Sequence, residues 1–154
     1  MVDIKIREAL LEDVPTLLQY EQQIIDFERD FNEDIKKENA KYYDIESLII
    51  GKDSVLFVGE IDNKIVATGY ALIKKGLPQF QYEEYTYLGF MYVAPMHRGK
   101  GYNAKIIEAA IEWSKQRGIK DMRLQVYSEN SSAIRAYEKL GFQTELQDMK
   151  LKID

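Results

Sequence analysis

Residues 97–104, with the sequence HRGKGYNA, combine glycine and positive charge in a way that suits phosphate binding. Gly99 and Gly101 flank Lys100, Arg98 precedes them, and a helical pattern follows. Backbone N–H groups at a helix N-terminus are unpaired donors at the positive end of the helix dipole, so they bind anions. Glycine also lets a backbone approach a ligand closely. The pattern predicts a pyrophosphate cradle, and the simpler alternative is a glycine-rich loop with two solvated cations.

Two known phosphate fingerprints fit this stretch less well. The letters GKGYNA match the G-x-G-x-x-[GA] pattern of dinucleotide-binding folds. In those folds the first glycine follows its strand almost directly and lies near the domain start. Here a spacer separates Val93 from Gly99, and only about fifty residues follow. A P-loop needs Ser or Thr after Gly-Lys, and this chain has glycine there. A nucleotide-binding oxidoreductase fragment is therefore the weaker alternative.

A second motif, NSSAIRAYEKLGF, has the spacing N-x-x-A-x-x-x-Y-x-x-x-G-F. Its matching positions are Asn130, Ala133, Tyr137, Gly141 and Phe142. Together with the run YLGFMYVAPMHRGKGYNAKII, this motif resembles the acetyl-CoA segment of the GNAT (GCN5-related) N-acetyltransferases. The two motifs and the order of elements extend the resemblance over essentially the whole chain.

That family carries [RQ]-x-x-G-x-[GA] after a strand that ends in V-x-P. The final small residue of the pattern is Asn103 in this chain, which is a departure, although Asn tolerates unusual backbone angles and Ala104 supplies room. The resemblance implies acetyl-CoA as co-substrate. It assigns the cofactor's pyrophosphate to one run of residues: Arg98, Gly99, Lys100, Gly101, Tyr102, Asn103 and Ala104.

Acetyl transfer from a thioester to an amine needs a deprotonated amine, aligned reactants, a donor for the oxyanion and a proton for the leaving thiolate. The resemblance implies that the strand bearing Met91, Tyr92 and Val93 pairs with the pantetheine arm near a bulge or splay. A backbone N–H of that strand would then face the oxyanion. Alternatively, these residues simply belong to a buried strand.

The resemblance names Tyr137 as the general acid, with its hydroxyl near the thioester sulfur. By pattern alone, Tyr137 shares a helical face with Ala133 and Leu140, which is typical of core packing. Asn130 is expected to cap this helix. The resemblance also implies that Asn130 and Ala133 contact the cofactor.

The general base is the least defined part of the site. Some family members carry a glutamate on the long strand, but Tyr85 and Tyr87 occupy those positions here, and Glu83 lies further back. Strand alternation puts Glu83 on the face of Met91, which makes it a candidate base. Glu21 and Glu28 on the first helix are further candidates, although helical carboxylates are more often solvated surface charges.

Other chemistries receive little support. His97 is the only histidine and there is no cysteine, so we expect no metal site, and His97 is interpreted as loop packing or a phosphate contact. The aromatic run QYEEYTYLGFMY could stack on bases, but the net charge of -5 and the lack of a basic patch argue against nucleic acid. No apolar run approaches a membrane-spanning length.

The elements that position these residues alternate between strands and helices. In the first half of the chain, the pattern predicts a strand at 3–7, a helix from an Asp13 N-cap to about Glu28, and a second helix within 31–51. A hairpin turning at Asp62-Asn63 and a long strand ending before Pro95 follow. The last third is predicted to contain a helix over 102–117, a strand in DMRLQVYS, a helix in NSSAIRAYEKLGF and one or two C-terminal strands. This order, β-α-α-β-β-β-α-β-α-β, predicts one α/β domain over residues 1–154. The resemblance implies the acyl-CoA N-acyltransferase (GNAT) fold, a central mixed, mostly antiparallel twisted sheet flanked by helices.

These observations lead to a working hypothesis of an acetyl-CoA-dependent N-acetyltransferase that uses direct attack in a ternary complex. The acceptor is a small-molecule or peptide amine, and dimers are common among such enzymes, so a homodimer is compatible with the resemblance. A composition of 45% hydrophobic and 31% charged residues without cysteine fits a globular protein of the reducing cytoplasm. The alternative is a non-catalytic acyl-CoA-binding or sensing domain on the same fold.

Overall fold

A computed structural model describes residues 3–154, and five of its segments form one sheet. The strands stand in chain order across the sheet, and every neighbouring pair is antiparallel except the last, which is parallel. The strands are β1 (Lys5–Glu8), β2 (Ser54–Ile61), β3 (Lys64–Lys75), β4 (Glu84–Val93) and β5 (Met122–Leu124). The mixed, mostly antiparallel sheet predicted from the sequence is confirmed.

A two-residue turn fixes the register of the central hairpin. Asp62 and Asn63 adopt φ angles of 51° and 63°, the left-handed region that Asp and Asn tolerate best after glycine. Such a turn matches the right-handed twist of the strands it joins. It brings Ile61 opposite Lys64, and the hairpin predicted at this point is confirmed.

Within residues 3–154 four α-helices flank the sheet, and they are α1 (Val14–Glu28), α2 (Ile45–Ile50), α3 (Tyr102–Lys115) and α4 (Ser131–Lys139). Asp13 occupies the N-cap position of α1 as predicted, but its carboxylate pairs with Arg7 and accepts from the Leu10 amide instead of bonding the helix. Asn130 caps α4 as predicted, because its Oδ1 accepts from the Ala133 amide at 3.3 Å.

The two faces of the sheet carry separate apolar clusters. Helix α3 covers one face, where Ile106, Ile107 and Ala110 are buried against β2, β3 and β4. Helices α1 and α2 cover the other face, where Leu17 and Leu48 pack with the inward residues of β2 and β4. Strand β4 therefore lies between both layers, and its backbone is held rigidly from each side.

The predicted C-terminal strand is wrong, and the observed order ends after α4. Residues 143–154 form neither helix nor strand. Lys150 and Lys152 instead contact Asp34 at 2.9 and 2.7 Å, in the loop that follows α1. Leu151 and Ile153 alternate with these lysines, but 84% and 89% of their surface stays exposed. The tail is thus held by ion pairs and not by a ladder of backbone hydrogen bonds.

Two further elements are shorter than predicted. The second helix is confined to Ile45–Ile50, because the charged residues before it lack an apolar helical repeat and form turns. Strand β5 covers three residues of the predicted DMRLQVYS segment. Among the helices of residues 3–154, none has the length and apolarity that crossing a membrane demands, and the cytoplasmic location stays a prediction.

Candidate active site

The site begins where strands β4 and β5 separate. The two strands pair only over residues 86–88 and 122–124. Residues 89–93 continue β4 without a strand partner on that side, within the part of the chain that the structure describes. An unpaired strand edge presents N–H and C=O groups that accept an extended ligand as an additional strand. The segment with Met91, Tyr92 and Val93 lies along this opening.

A β-bulge reshapes β4 at the same place. Between the pairs Thr68–Tyr92 and Tyr70–Gly89, one residue of β3 faces two residues of β4. Phe90 takes up the extra length with a φ of 55°, which is unusual for a bulky side chain. The hydroxyl of Thr68 donates to the Phe90 carbonyl at 2.8 Å and holds this conformation. The bulge redirects the peptide groups that follow it, as bulges beside ligand sites commonly do.

The glycine loop lies at the N-terminus of α3, directly after β4. Gly99 and Gly101 have φ angles of 75° and 81°, and Gly101 is the N-cap of the helix. A Cβ added at either position would meet no atom within 4 Å. The glycines are therefore required by the left-handed backbone and not by crowding. The space over the loop is open, and the unpaired N–H groups of the first turn suit an anion.

The charged residues of the loop play different parts. Arg98 donates from Nε to the Val93 carbonyl at 2.8 Å, so it ties the loop to the end of β4. Lys100 is exposed. His97 packs near Tyr102, with 6.5 Å between ring centroids, and its buried Nδ1 has no hydrogen-bond partner among the described residues. His97 thus packs within the loop, and its alternative interpretation as a phosphate contact stays a prediction.

Tyr137 connects helix α4 to the loop. Its ring packs against the α3 side of the core and against Phe142, at 5.8 Å between centroids. Burial, and after it the charge of Glu28, raise the pKa of Tyr137 to about 12, although a hydrogen bond with the Asn103 side chain acts to lower it. Asn103 belongs to the first turn of α3. The sequence singled it out as a departure from a motif, whereas the structure makes it a partner of Tyr137.

The predicted base candidates lie in contrasting surroundings. Glu83 is exposed in the loop before β4, and its backbone carbonyl accepts from the Gly76 amide at 2.8 Å. Glu21 is only 1% exposed, so its interpretation as a solvated charge is wrong. Its Oε2 accepts from the amides of Tyr42 and Tyr43 at 3.1 and 2.8 Å. Residues 3–154 contain no group of three or more His, Asp or Glu side chains able to hold a metal.

Glu28, the last residue of α1, is half-buried and interacts electrostatically with four tyrosines. Burial raises its pKa, and the Tyr42 hydroxyl lowers it. The Glu28 charge in turn raises the pKa of the tyrosines around it. We call the four tyrosines, Tyr42, Tyr43, Tyr87 and Tyr137, the tyrosine cluster. Glu28 therefore shares electrostatic surroundings with the predicted general acid.

The model of the acetyltransferase (GNAT) family matches residues 20–142, which includes the opening, the glycine loop and Tyr137. The chain belongs to the GNAT acetyltransferase family. The bulged strand, the glycine loop and α4 all lie within the matched residues. Their assignment to one acetyl-CoA site stays a prediction.

Relatives of this GNAT chain carry acetyltransferase names. An uncharacterised N-acetyltransferase of Methanocaldococcus jannaschii is 32% identical over 70% of this chain and 47% of its own length. The thialysine N-epsilon-acetyltransferase of Mus musculus is 35% identical over 49% of this chain and 46% of its own length. The chain thus matches less than half the length of these curated relatives.

Solved structures share the GNAT fold. A tetramutant of a Bacillus halodurans protein superimposes with a TM-score of 0.86, at 26% identity, over 97% of this chain and 99% of its own. A predicted acetyltransferase of Clostridium acetobutylicum, solved with acetyl-CoA, superimposes with a TM-score of 0.74, at 22% identity, over 97% and 96% of the two chains. The likeness to the second structure is one of fold.

Proposed function

We propose that this chain is an N-acetyltransferase that uses acetyl-CoA and transfers the acetyl group to a primary amine by direct attack in a ternary complex. The observation that carries the proposal is the open edge of β4 beyond its bulge, followed along the chain by the left-handed glycine loop at the start of α3. Tyr137 is linked to the first turn of α3 through its hydrogen bond with Asn103. A phosphate cradle, a ligand-pairing strand and a proton donor would thereby lie close together.

The residues present fit acetyl-CoA. GNAT enzymes use this co-substrate, and the Clostridium acetobutylicum neighbour was solved with it. Met91, Tyr92 and Val93 would hold the pantetheine arm through their backbone, with Asn130 and Ala133 alongside on α4. The pyrophosphate would lie on the open left-handed backbone of the glycine loop, in the residues Arg98, Gly99, Lys100, Gly101, Tyr102, Asn103 and Ala104.

The bound co-substrate supplies an activated acetyl thioester. A backbone N–H of residues 91–93 would donate to the carbonyl oxygen as negative charge develops there. Tyr137 would donate its hydroxyl proton to the departing sulfur, whose thiol pKa lies near about 8.5. The chain contains no cysteine, so no thiol is available for an acetyl-cysteine intermediate and the amine attacks directly.

The acceptor is proposed to be a small-molecule or peptide amine. Two proteins of similar sequence, a thialysine N-epsilon-acetyltransferase and a streptothricin acetyltransferase, are named after amines. The net charge of -5 favours cationic acceptors over anionic ones, since charge steers association. We return to the acceptor below, where the tyrosine cluster narrows its chemistry.

Release of free thiol from acetyl-CoA, measured over a panel of amines, tests this function. We expect turnover with at least one primary amine and calorimetric binding of acetyl-CoA. Tight CoA binding without turnover on any amine would favour the non-catalytic acyl-CoA-binding alternative. Absence of both binding and turnover would contradict the proposal, and NAD binding in its place would revive the nucleotide-binding alternative.

Replacing Gly101 by alanine should weaken acetyl-CoA binding about tenfold. The left-handed φ of 81° costs a residue with a Cβ about 1–2 kcal/mol, so the loop shifts or strains at the helix N-terminus. Gly118 is a matched control, because it has a φ of 74° and equally open surroundings beyond the other end of α3. Calorimetry should show weakened binding for Gly101→Ala and not for Gly118→Ala. Equal acetyl-CoA affinities of the two variants would contradict a role of the glycine loop in binding the cofactor.

Replacing Asn103 by alanine should lower kcat about five- to tenfold with little change in acetyl-CoA affinity. The Asn103 hydrogen bond lowers the pKa of Tyr137, so its loss raises that pKa and makes the hydroxyl a weaker acid. Asn103→Asp should act similarly, since it removes the amide donor and keeps the shape. In a Tyr137→Phe background, Asn103→Ala should have no further effect on kcat. An undiminished effect there would show that Asn103 acts independently of Tyr137.

A further inference from the structure

We propose that Glu28 is the acceptor-side base: its carboxylate binds the primary ammonium of an alkylamine within the tyrosine cluster and takes the proton that this ammonium must lose before attack. The inference rests on the proposed N-acetyltransferase function and narrows its substrate class. It assigns the base to the end of α1 and not to Glu83.

Four parts of the fold converge around this carboxylate. Glu28 ends α1, Tyr42 and Tyr43 come from the connection to α2, Tyr87 from β4 and Tyr137 from α4. The Tyr42 hydroxyl is buried and has no hydrogen bond of standard geometry among the described residues, although it lies close enough to Glu28 to affect its pKa. A buried hydroxyl beside a half-buried carboxylate is a polar pair that an ammonium would complete.

Rings of the tyrosine cluster continue into a larger aromatic surface on the α1 side of the sheet. Tyr43 stacks on Phe90 with 4.6 Å between ring centroids, and Tyr42 meets Tyr43 edge to face at 5.6 Å. Tyr70 continues the aromatic surface to Tyr87 at 6.3 Å. Aromatic faces attract ammonium groups and bury alkyl chains. The surroundings therefore match an ammonium carried on an apolar arm.

The same surroundings favour proton transfer. Burial raises the pKa of Glu28, and entry into this site would lower the pKa of the ammonium, because desolvation disfavours both charged forms. Desolvation thus brings the two pKa values closer together, against the attraction between the two charges, which holds the ion pair before the proton moves. The C-terminal end of α1 is also the negative end of its dipole, which attracts a cation.

Other charges near Glu28 are already engaged. Arg29, the next residue, pairs with Asp26 and donates to the carbonyls of Lys36 and Lys37. Its charge and the Tyr127 hydroxyl also act on the pKa of Tyr42. Within residues 3–154 no ion pair involves Glu28, so its carboxylate is available to an incoming ammonium.

Proton uptake by Glu28 also prepares Tyr137. The negative charge of Glu28 contributes to the raised pKa of Tyr137, so neutralising that charge removes this contribution. Tyr137 then becomes a stronger acid when the thiolate requires its proton. Base and acid are coupled through their electrostatic interaction without direct contact.

The atoms and charges balance in this scheme. The ammonium gives one proton to Glu28, and the amine nitrogen forms a C–N bond to the thioester carbonyl carbon. The C–S bond breaks, its electron pair stays on sulfur, and the Tyr137 hydroxyl protonates the thiolate. The phenolate of Tyr137 takes the remaining proton from the new amide nitrogen, and Glu28 returns its proton to solvent. One proton is released per acetyl group transferred.

The test compares Glu28→Gln with wild type, using n-pentylamine and the best amine of the panel. We expect kcat/KM for amine to fall about 100-fold, the range of a lost general base. The affinity for acetyl-CoA should stay within about threefold. The acidic limb of the pH profile of kcat/KM should lie above the usual glutamate pKa of about 4.3 and disappear in the variant. Glu112→Gln, on the exposed face of α3, is the charge-matched control and should behave as wild type.

A binding measurement provides a readout without turnover. Calorimetry should show that n-pentylammonium binds wild type at least tenfold more tightly than it binds Glu28→Gln. The neutral analogue 1-pentanol should bind both forms equally. If wild type and Glu28→Gln bound n-pentylammonium with equal affinity, the proposed ammonium site would be overturned, regardless of the kinetic results.

The outcomes separate the two proposals. If wild type turns over and Glu28→Gln matches it, the inference on Glu28 is overturned and the N-acetyltransferase function stands. If Glu83→Gln abolishes turnover and Glu28→Gln does not, the base lies on the β4 side. If wild type binds no acetyl-CoA and acetylates no amine, the proposed function fails and the catalytic role of Glu28 fails with it.

Discussion

Replacing Tyr137 by phenylalanine is expected to lower kcat about 100-fold while the dissociation constant for acetyl-CoA stays within about threefold. The variant removes one oxygen atom and keeps the ring that packs against Phe142 and the α3 side of the core. The packing should therefore survive, and the loss should appear in proton donation, for which general acids contribute about 10²–10⁴-fold.

The direction of the pKa shift makes a second part of this prediction. Burial and the charge of Glu28 raise the pKa of Tyr137 to about 12, so the hydroxyl stays protonated throughout the working range. The basic limb of the wild-type pH profile should therefore not come from loss of this proton below about pH 10. Acetyl donors with a better leaving thiolate should rescue Tyr137→Phe, because they need less help from an acid.

Two controls separate catalysis from packing. Tyr137→Leu removes the ring as well and should lower both stability and cofactor affinity. Tyr85 lies near the start of β4 and outside the tyrosine cluster. The variant Tyr85→Phe removes its hydroxyl, and its kcat should match that of wild type. If Tyr137→Phe lost turnover and cofactor affinity in equal proportion, Tyr137 would be a packing residue, which is the alternative that its helical face suggested.

Elements with local signals were predictable from the sequence. The hairpin follows from Asp62 and Asn63, whose residue types tolerate left-handed angles, and α3 follows from a complete apolar repeat after Gly101. The glycine loop was also predictable from a local signal, because the left-handed backbone at Gly99 and Gly101 favours glycine at those two positions. The β4 bulge at Phe90 was implied by the family resemblance and has no local signal of its own.

Elements that depend on distant partners were not predictable. The C-terminal residues alternate as a strand would, but a strand also needs a neighbour, and Lys150 and Lys152 find Asp34 instead. Alternation alone specifies a face without specifying a partner. Strand β5 is short for a related reason, because it pairs with only part of β4.

The positions of buried Glu21 and half-buried Glu28 on α1 did have a signal in the sequence. Glu21 lies four residues after Leu17 and three before Ile24, and Glu28 lies four after Ile24, so both stand on the apolar stripe. Weighing each residue type alone assigned them to the surface, whereas their helical phase placed them inward. A carboxylate on an apolar stripe indicates a required partner.

Replacing Glu21 by alanine is expected to destabilise the fold by about 3 kcal/mol at pH 7 and to raise KM for the amine. Glu21 is 1% exposed, and its carboxylate accepts two backbone hydrogen bonds, from Tyr42 and Tyr43. Hydrogen bonds to charged groups contribute about 1.5–3 kcal/mol each, and truncation also leaves two amides without their acceptor. Urea unfolding at pH 7 measures the change in stability.

The kinetic effect follows from what Glu21 holds. Tyr42 and Tyr43 belong to the tyrosine cluster, which acts on Glu28, so loosening them should weaken the acceptor site. The glycine loop lies at the start of α3, and the affinity for acetyl-CoA should stay unchanged. Glu38→Ala, an exposed carboxylate of the same connection, should change stability by less than about 0.5 kcal/mol and leave KM unaltered. A Glu21→Ala variant that unfolds more easily but keeps the wild-type KM would separate the tyrosine cluster from amine binding. A raised KM for the amine at unchanged acetyl-CoA affinity would instead show that Glu21 positions Tyr42 and Tyr43, beside which Glu28 binds the amine.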